Sequence, residues 1–144
     1  MTSMNYLVFL DAQAGELEKI LSGRKSMIVK EFDPARPTDQ AIGPGDSLYF
    51  LRNKDECAVR VKATVLRVLI FTNHIEDDLC QSLKELQPRL QLTEDQYNYW
   101  SQGQQVLLVE FGSAHKIAMI QIASDKITGQ SDWISFEEFS LITE

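Results

Sequence analysis

The sequence is short of histidine, cysteine, basic residues and long apolar runs, and each shortage removes a class of function. Two histidines in 144 residues leave little for a metal centre, which takes three or four converging ligands. His74 stands beside Glu76, Asp77 and Asp78, but that stretch reads as the acidic first turn of a helix, where the dipole favours carboxylates. No metal and no cofactor are expected. The two cysteines, Cys57 and Cys80, lie far apart and read as reduced thiols rather than a disulfide. Lys and Arg number 14 against 21 Asp and Glu, a net charge of −7. That makes the chain a poor non-specific binder of nucleic acid, which works by neutralising phosphates, but leaves room for a local basic cleft. The run from Tyr6 to Leu10 falls far short of the roughly 18 apolar residues of a membrane span. The start, MTSMNYLVFLDAQ, lacks the basic leader of a signal peptide. The expectation is a cytoplasmic protein with no membrane partner. The glycines show neither P-loop nor dinucleotide-fold spacing.

What is present reads as one domain over residues 1–144, with 44% hydrophobic residues to build a core. Tyr6 to Leu10 is a buried strand. Asp11 is placed to cap a helix that carries Leu17, Ile20 and Leu21 on one face, with Gly23 at its end. Ser26 to Phe32 is a second strand. Three of the four prolines fall in the loop from Asp33 to Asp46, which ends in the turn Gly43-Pro44-Gly45-Asp46, where Asp46 closes the turn. Ser47 to Leu51 is a strand, and the polar Asn53–Glu56 makes a hairpin turn. Cys57, Val59, Val61, Ala63 and Val65 then alternate with Arg60, Lys62 and Thr64, the period of a half-buried strand. At Leu66-Arg67 the apolar phase flips to Leu66, Val68 and Ile70, which predicts a β-bulge.

Two helices follow. Asn73 caps the first, with Ile75, Leu79, Leu83 and Leu86 as its stripe and Pro88 limiting its end. Thr93-Glu94-Asp95-Gln96 is a capping box opening the second, which carries Tyr97 and Trp100 on one face and stops at Gly103. Strands resume at Val106 to Phe111, Lys116 to Ala123 and Trp133 to Phe139. Gly112-Ser113-Ala114-His115 reads as a polar turn between two of them; no acid stands nearby to complete a Ser-His catalytic set. Short turns between most strands exclude an all-parallel sheet and predict a mainly β fold, a small barrel with an N-terminal helix and a two-helix insertion.

Four segments carry a resemblance. Ile20-Leu21-Ser22-Gly23-Arg24-Lys25-Ser26 leads into a strand, Gly45-Asp46-Ser47-Leu48-Tyr49-Phe50 into another, and Ala63-Thr64-Val65 and Val106–Phe111 follow. Together they resemble the ASCH domain, a family of the PUA-like superfamily of small β-barrels, over roughly residues 5–112. The resemblance implies a cleft at the helix-to-strand turn. Of the family's Gly-x-Lys-x-x-Glu-x-Arg hallmark, Gly23 and Lys25 match, Ile28 replaces Glu and Lys30 replaces Arg.

Two functions follow from that likeness. The first is a binding module that holds RNA, a nucleotide or a modified base beside the Gly23–Lys30 turn, using Gly23, Arg24, Lys25 and Lys30. Arg24, Lys25 and Lys30 form a local basic patch in an acidic chain. Tyr97 and Trp100 either stack on the base or form the core face of their helix. The alternative is an amidohydrolase acting on an acetylated nucleoside or similar small amide, with Lys25 catalytic. Relatives with that activity pair the lysine with a threonine, where Ile28 has no hydroxyl, and with an insertion glutamate, for which Glu85 and Glu94 are the nearest candidates. A third reading has the acidic outer face of the insertion meeting a protein partner.

Overall fold

The computed structural model describes residues 4–11, 13–32, 35, 42–52, 58–71, 76–102, 105–123 and 133–136. The elements in order are β1 (Asn5–Phe9), α1 (Glu16–Leu21), β2 (Met27–Glu31), β3 (Ser47–Leu51), β4 (Ala58–Phe71), α2 (Glu76–Glu85), α3 (Gln87–Leu90), α4 (Glu94–Trp100), β5 (Val106–Gln121) and β6 (Trp133–Phe136). Cys57, Asn73, His74, Ile75, Gly103 and the turns at 53–56 and 128–132 lie outside the described residues.

The six strands form one curled sheet in the order β2-β5-β4-β3-β1-β6, a mainly β half-barrel. Only the β1–β3 pair is parallel among those described, because α1 and β2 intervene between the two strands. β1 is apolar at successive positions because both its faces are covered. Tyr6 and Val8 enter the concave core with Ile28, Phe50, Val61, Val65 and Val109, while Leu7 and Phe9 pack on the other face with Tyr49, Val59 and Phe136. A third cluster lies under the insertion, where Leu79, Leu83, Leu90 and Leu92 cover Met27, Val29, Val106 and Leu108. Trp133 anchors β6 by stacking on Tyr6, ring centroids 5.3 Å apart.

The bulge expected at Leu66 is present. Val65 stands opposite Phe111 and Arg67 opposite Glu110, so Leu66 is the extra residue. The capping box of α4 forms in both directions. Thr93 Oγ1 accepts from the Gln96 amide at 3.2 Å and Gln96 Oε1 from the Thr93 amide at 3.1 Å. Asp46 closes its turn, accepting from the amides of Gly43 and Met4.

Three expectations are corrected. Gly112–His115 is no turn: β5 runs unbroken from Val106 to Gln121. Its polar residues are absorbed by a bulge, with Ser113 and Ala114 opposite Ala63 alone and Ser113 in the left-handed region at φ 57°. Asp11 does not cap α1. Its carboxylate accepts from the Gln13 amide two residues on, and the helix opens at Gly15, φ 66°. α2 does end ahead of Pro88, at Glu85, but Pro88 also opens a further helical turn. It sits in the first turn of α3, where its missing N–H is tolerated, so the insertion has three helical segments rather than two. No helix among the described residues is long and apolar enough to cross a membrane.

Candidate ligand cleft

The cleft is built by the chain reversal between α1 and β2. Gly23, at φ 82°, ends α1 and turns the chain so that the Arg24 and Lys25 amides both return to the Lys19 carbonyl. Ser26 is then fixed from both sides, its amide donating to the Arg89 carbonyl and its own carbonyl accepting from the Phe111 amide, each at 2.9 Å. This clamp drives the Lys25 side chain inward. Only 2% of Lys25 is exposed, and its ammonium donates to the carbonyl of Leu90 at the C-terminal end of α3. Lys19 does the same for the next carbonyl, Gln91, at 3.1 Å. Both cations thus satisfy carbonyls that a helix end leaves without intrahelical partners.

Lys30 is 7% exposed and donates to the Phe9 carbonyl at 3.0 Å. Glu16, the first residue of α1 and 9% exposed, accepts from Gln96 Nε2 at 2.6 Å. Gln96 therefore caps α4 with its oxygen and ties Glu16 with its nitrogen. Around these groups lies a cavity of about 300 Å³, lined by Phe9, Leu10, Asp11, Glu16, Lys25, Val29, Lys30, Asp95, Gln96, Tyr99 and Trp100. Tyr99 and Trp100 meet edge to face, centroids 4.9 Å apart. Burial pushes the Lys25 ammonium down from 10.5 to about 8; Glu16 works against this shift, and Lys19 and Lys30 add to it.

The structure gathers Lys25, Lys30 and Trp100 at the cleft. Gly23 shapes the approach to it without lining it. Arg24 is exposed and its Nε donates to Ser22 Oγ, outside the lining. Tyr97 packs under the insertion with Leu79 and Leu83, its hydroxyl 3.5 Å from the Cys80 carbonyl. Ile28 is buried in the concave core. Glu85 accepts from Gln81 on the surface of α2, and Glu94 lines a separate groove with Lys84 and Tyr97. The carboxylates at the cleft are Asp11, Glu16 and Asp95. With Lys25 and Lys30 they leave the lining without a positive excess, unlike the basic patch that the local sequence suggests. Glu16 carried no local signal, because its partner Gln96 is 80 residues away. Tyr99 falls outside the 97/100 helical stripe and so outside a search for an apolar face.

No protein-family model and no curated protein matches the sequence. Three solved structures of one protein, ZmASCH from Zymomonas mobilis, do match the fold. The unsubstituted protein superposes with a TM-score of 0.59 at 13% identity, over 81% of this chain and 73% of that one. A tyrosine-to-phenylalanine variant superposes at 0.58 with 14% identity, over 81% and 75%. A serine-to-alanine variant gives 0.59 at 14%, over 81% and 73%. The fold is that of an ASCH domain. At this identity the likeness is one of backbone architecture, and the ASCH fold supplies the frame on which this chain's own residues form the cleft.

Proposed function

We propose that the cleft binds a single nucleobase, as a free nucleoside or as an unstacked base of RNA. The carrying observation is that buried Lys25 and buried Glu16 line the same cavity of about 300 Å³ as Tyr99 and Trp100. A base edge offers acceptors and donors side by side, which suits a cavity lined by both an ammonium and a carboxylate. A base face offers a π surface for the aromatics, and stacking of this kind contributes about 1–3 kcal/mol per base. A phosphate is disfavoured here, because it would face Asp11, Glu16 and Asp95 as well as the two lysines. The Leu90 carbonyl takes one of the three Lys25 donors, and the others serve a ligand.

The test is titration with the common nucleosides, their monophosphates and short single-stranded RNA, followed by calorimetry and tryptophan fluorescence. Nucleosides should saturate the site with weak salt dependence, and Trp100→Ala should weaken them by about tenfold. Tighter binding of monophosphates than of nucleosides, steeply weakened by salt, would replace the base with the phosphate as the recognised group. No saturation by any of the three would end the reading.

A second reading rests on the lowered ammonium. With Lys25 at about 8, a useful fraction of neutral amine exists near neutral pH. This supports amide hydrolysis, with Lys25 taking a proton from the attacking water and returning it to the leaving amine, beside the Glu16 carboxylate. A product assay on acetylated cytidine and related small amides checks it. Turnover that rises with pH toward about 8, is lost in Lys25→Ala and survives in Glu85→Gln and Glu94→Gln would favour it. Absence of product in the wild type would exclude these substrates.

A further inference from the structure

α1 borders a second cavity, of about 270 Å³, that shares no lining residue with the first. Its floor is aliphatic: Leu17 and Leu21 from α1, Val61 from β4, Ile117 and Met119 from β5. Its rim is cationic, with Arg52, Arg60 and Lys116 converging in a chain of net charge −7. A break in the β4–β5 ladder builds it. Val59 stands opposite Ile120 and Val61 opposite Lys116, so Ile117, Ala118 and Met119 together face Arg60 alone. Such a bulge re-aims side chains, and here it leaves Met119 53% exposed with its sulfur 3.8 Å from the Arg60 guanidinium.

We propose that this groove binds an aliphatic carboxylate, with its chain on the Leu17–Leu21–Met119 floor and its head at Arg60 and Lys116. Arg52 engages Glu18 at 3.1 Å and Arg60 is itself engaged, so the rim suits an anion of low charge rather than a polyanion. The apolar side chains carry no hydrogen-bonding partner for a base, and Met119, the one sulfur among them, is taken up by Arg60. An inorganic anion would leave that floor wet. An acid with an alkyl tail covers the floor and meets the rim at once, and the adaptable Met119 can close over tails of different length.

Calorimetric titration with butanoate, hexanoate, octanoate, octan-1-ol and inorganic phosphate tests this on the intact chain. Affinity should rise by about fourfold per added methylene until the groove is filled. Octanol should bind roughly tenfold or more weakly than octanoate, and the exposed double change Arg60→Glu/Lys116→Glu should cost octanoate a similar factor. Circular dichroism of that variant confirms that it is folded. Excess nucleoside should not displace octanoate, which separates this site from the cleft. Octanol binding equal to octanoate, phosphate binding equal to octanoate, displacement by nucleoside, or no saturation by octanoate at millimolar concentration would each overturn the proposal.

Discussion

Lys25 ties the cleft to pH. Its ammonium titrates at about 8 when folded and at about 10.5 in the open chain. Below 8 both states hold the proton, and stability is flat. Between 8 and 10.5 the unfolded chain holds the proton and the folded one does not, so stability rises with pH. Relative to Lys25→Met, which has nothing to titrate there, the wild type should gain about 3 kcal/mol across that window. Urea unfolding of the two proteins at a series of pH values reads this directly. A difference that stays constant would mean that Lys25 is not desolvated. Lys25 was legible in the sequence because it follows Gly23 in a recognisable turn. Its neighbour Glu16 was not, since nothing in the first turn of α1 distinguishes a carboxylate facing solvent from one facing Gln96 across the cleft.

Among the elements, α4 and the β4–β5 ribbon make the sharpest expectations. Gln96→Ala removes half of the capping box and frees Glu16, so it should cost about 1–2 kcal/mol of unfolding free energy in a denaturant titration. Thr93→Ala should cost about 1 kcal/mol but leave the nucleoside affinity nearer to wild type, because it does not touch Glu16. At Gly112 a Cβ would meet Leu66 Cδ1 at 3.0 Å, and Leu66 is half-exposed and able to yield. Gly112→Ala should therefore be close to neutral alone and stabilise by about 0.5–1 kcal/mol in a Leu66→Ala background, a coupling that a double-mutant cycle measures. Strict alternation from Val59 to Val65, its phase flip at Leu66 and the Thr93–Gln96 spacing could all be read without coordinates. Gly112–His115 misled because polarity marks a turn only where pairing stops, and here β4 supplies the partners that carry the strand through.

At the scale of the molecule, the half-barrel was legible from the order of elements and the short connections, while its two-sided core was not. A strand such as β1 reads only as an apolar run until Leu7 and Phe9 are seen to pack on the face opposite Tyr6 and Val8. Val61, fully buried in the concave cluster, should lose about 1–3 kcal/mol as Val61→Ala, and chemical denaturation gives the value. The cleft lies where the insertion meets this frame, so its two walls come from parts of the chain some 80 residues apart.

The place of β6 has a consequence for synthesis on the ribosome. β1 is made first, but its second neighbour, β6, is made more than a hundred residues later, Asn5 pairing with Phe136 and Val8 with Trp133. Until then a strand buried on both faces shows a bare backbone rim, the template on which aggregates grow. A chain stopped after residue 132 reproduces that nascent state. It should elute as oligomers in size-exclusion chromatography, and a peptide spanning 131–137 should return it to monomer by adding the missing strand in trans.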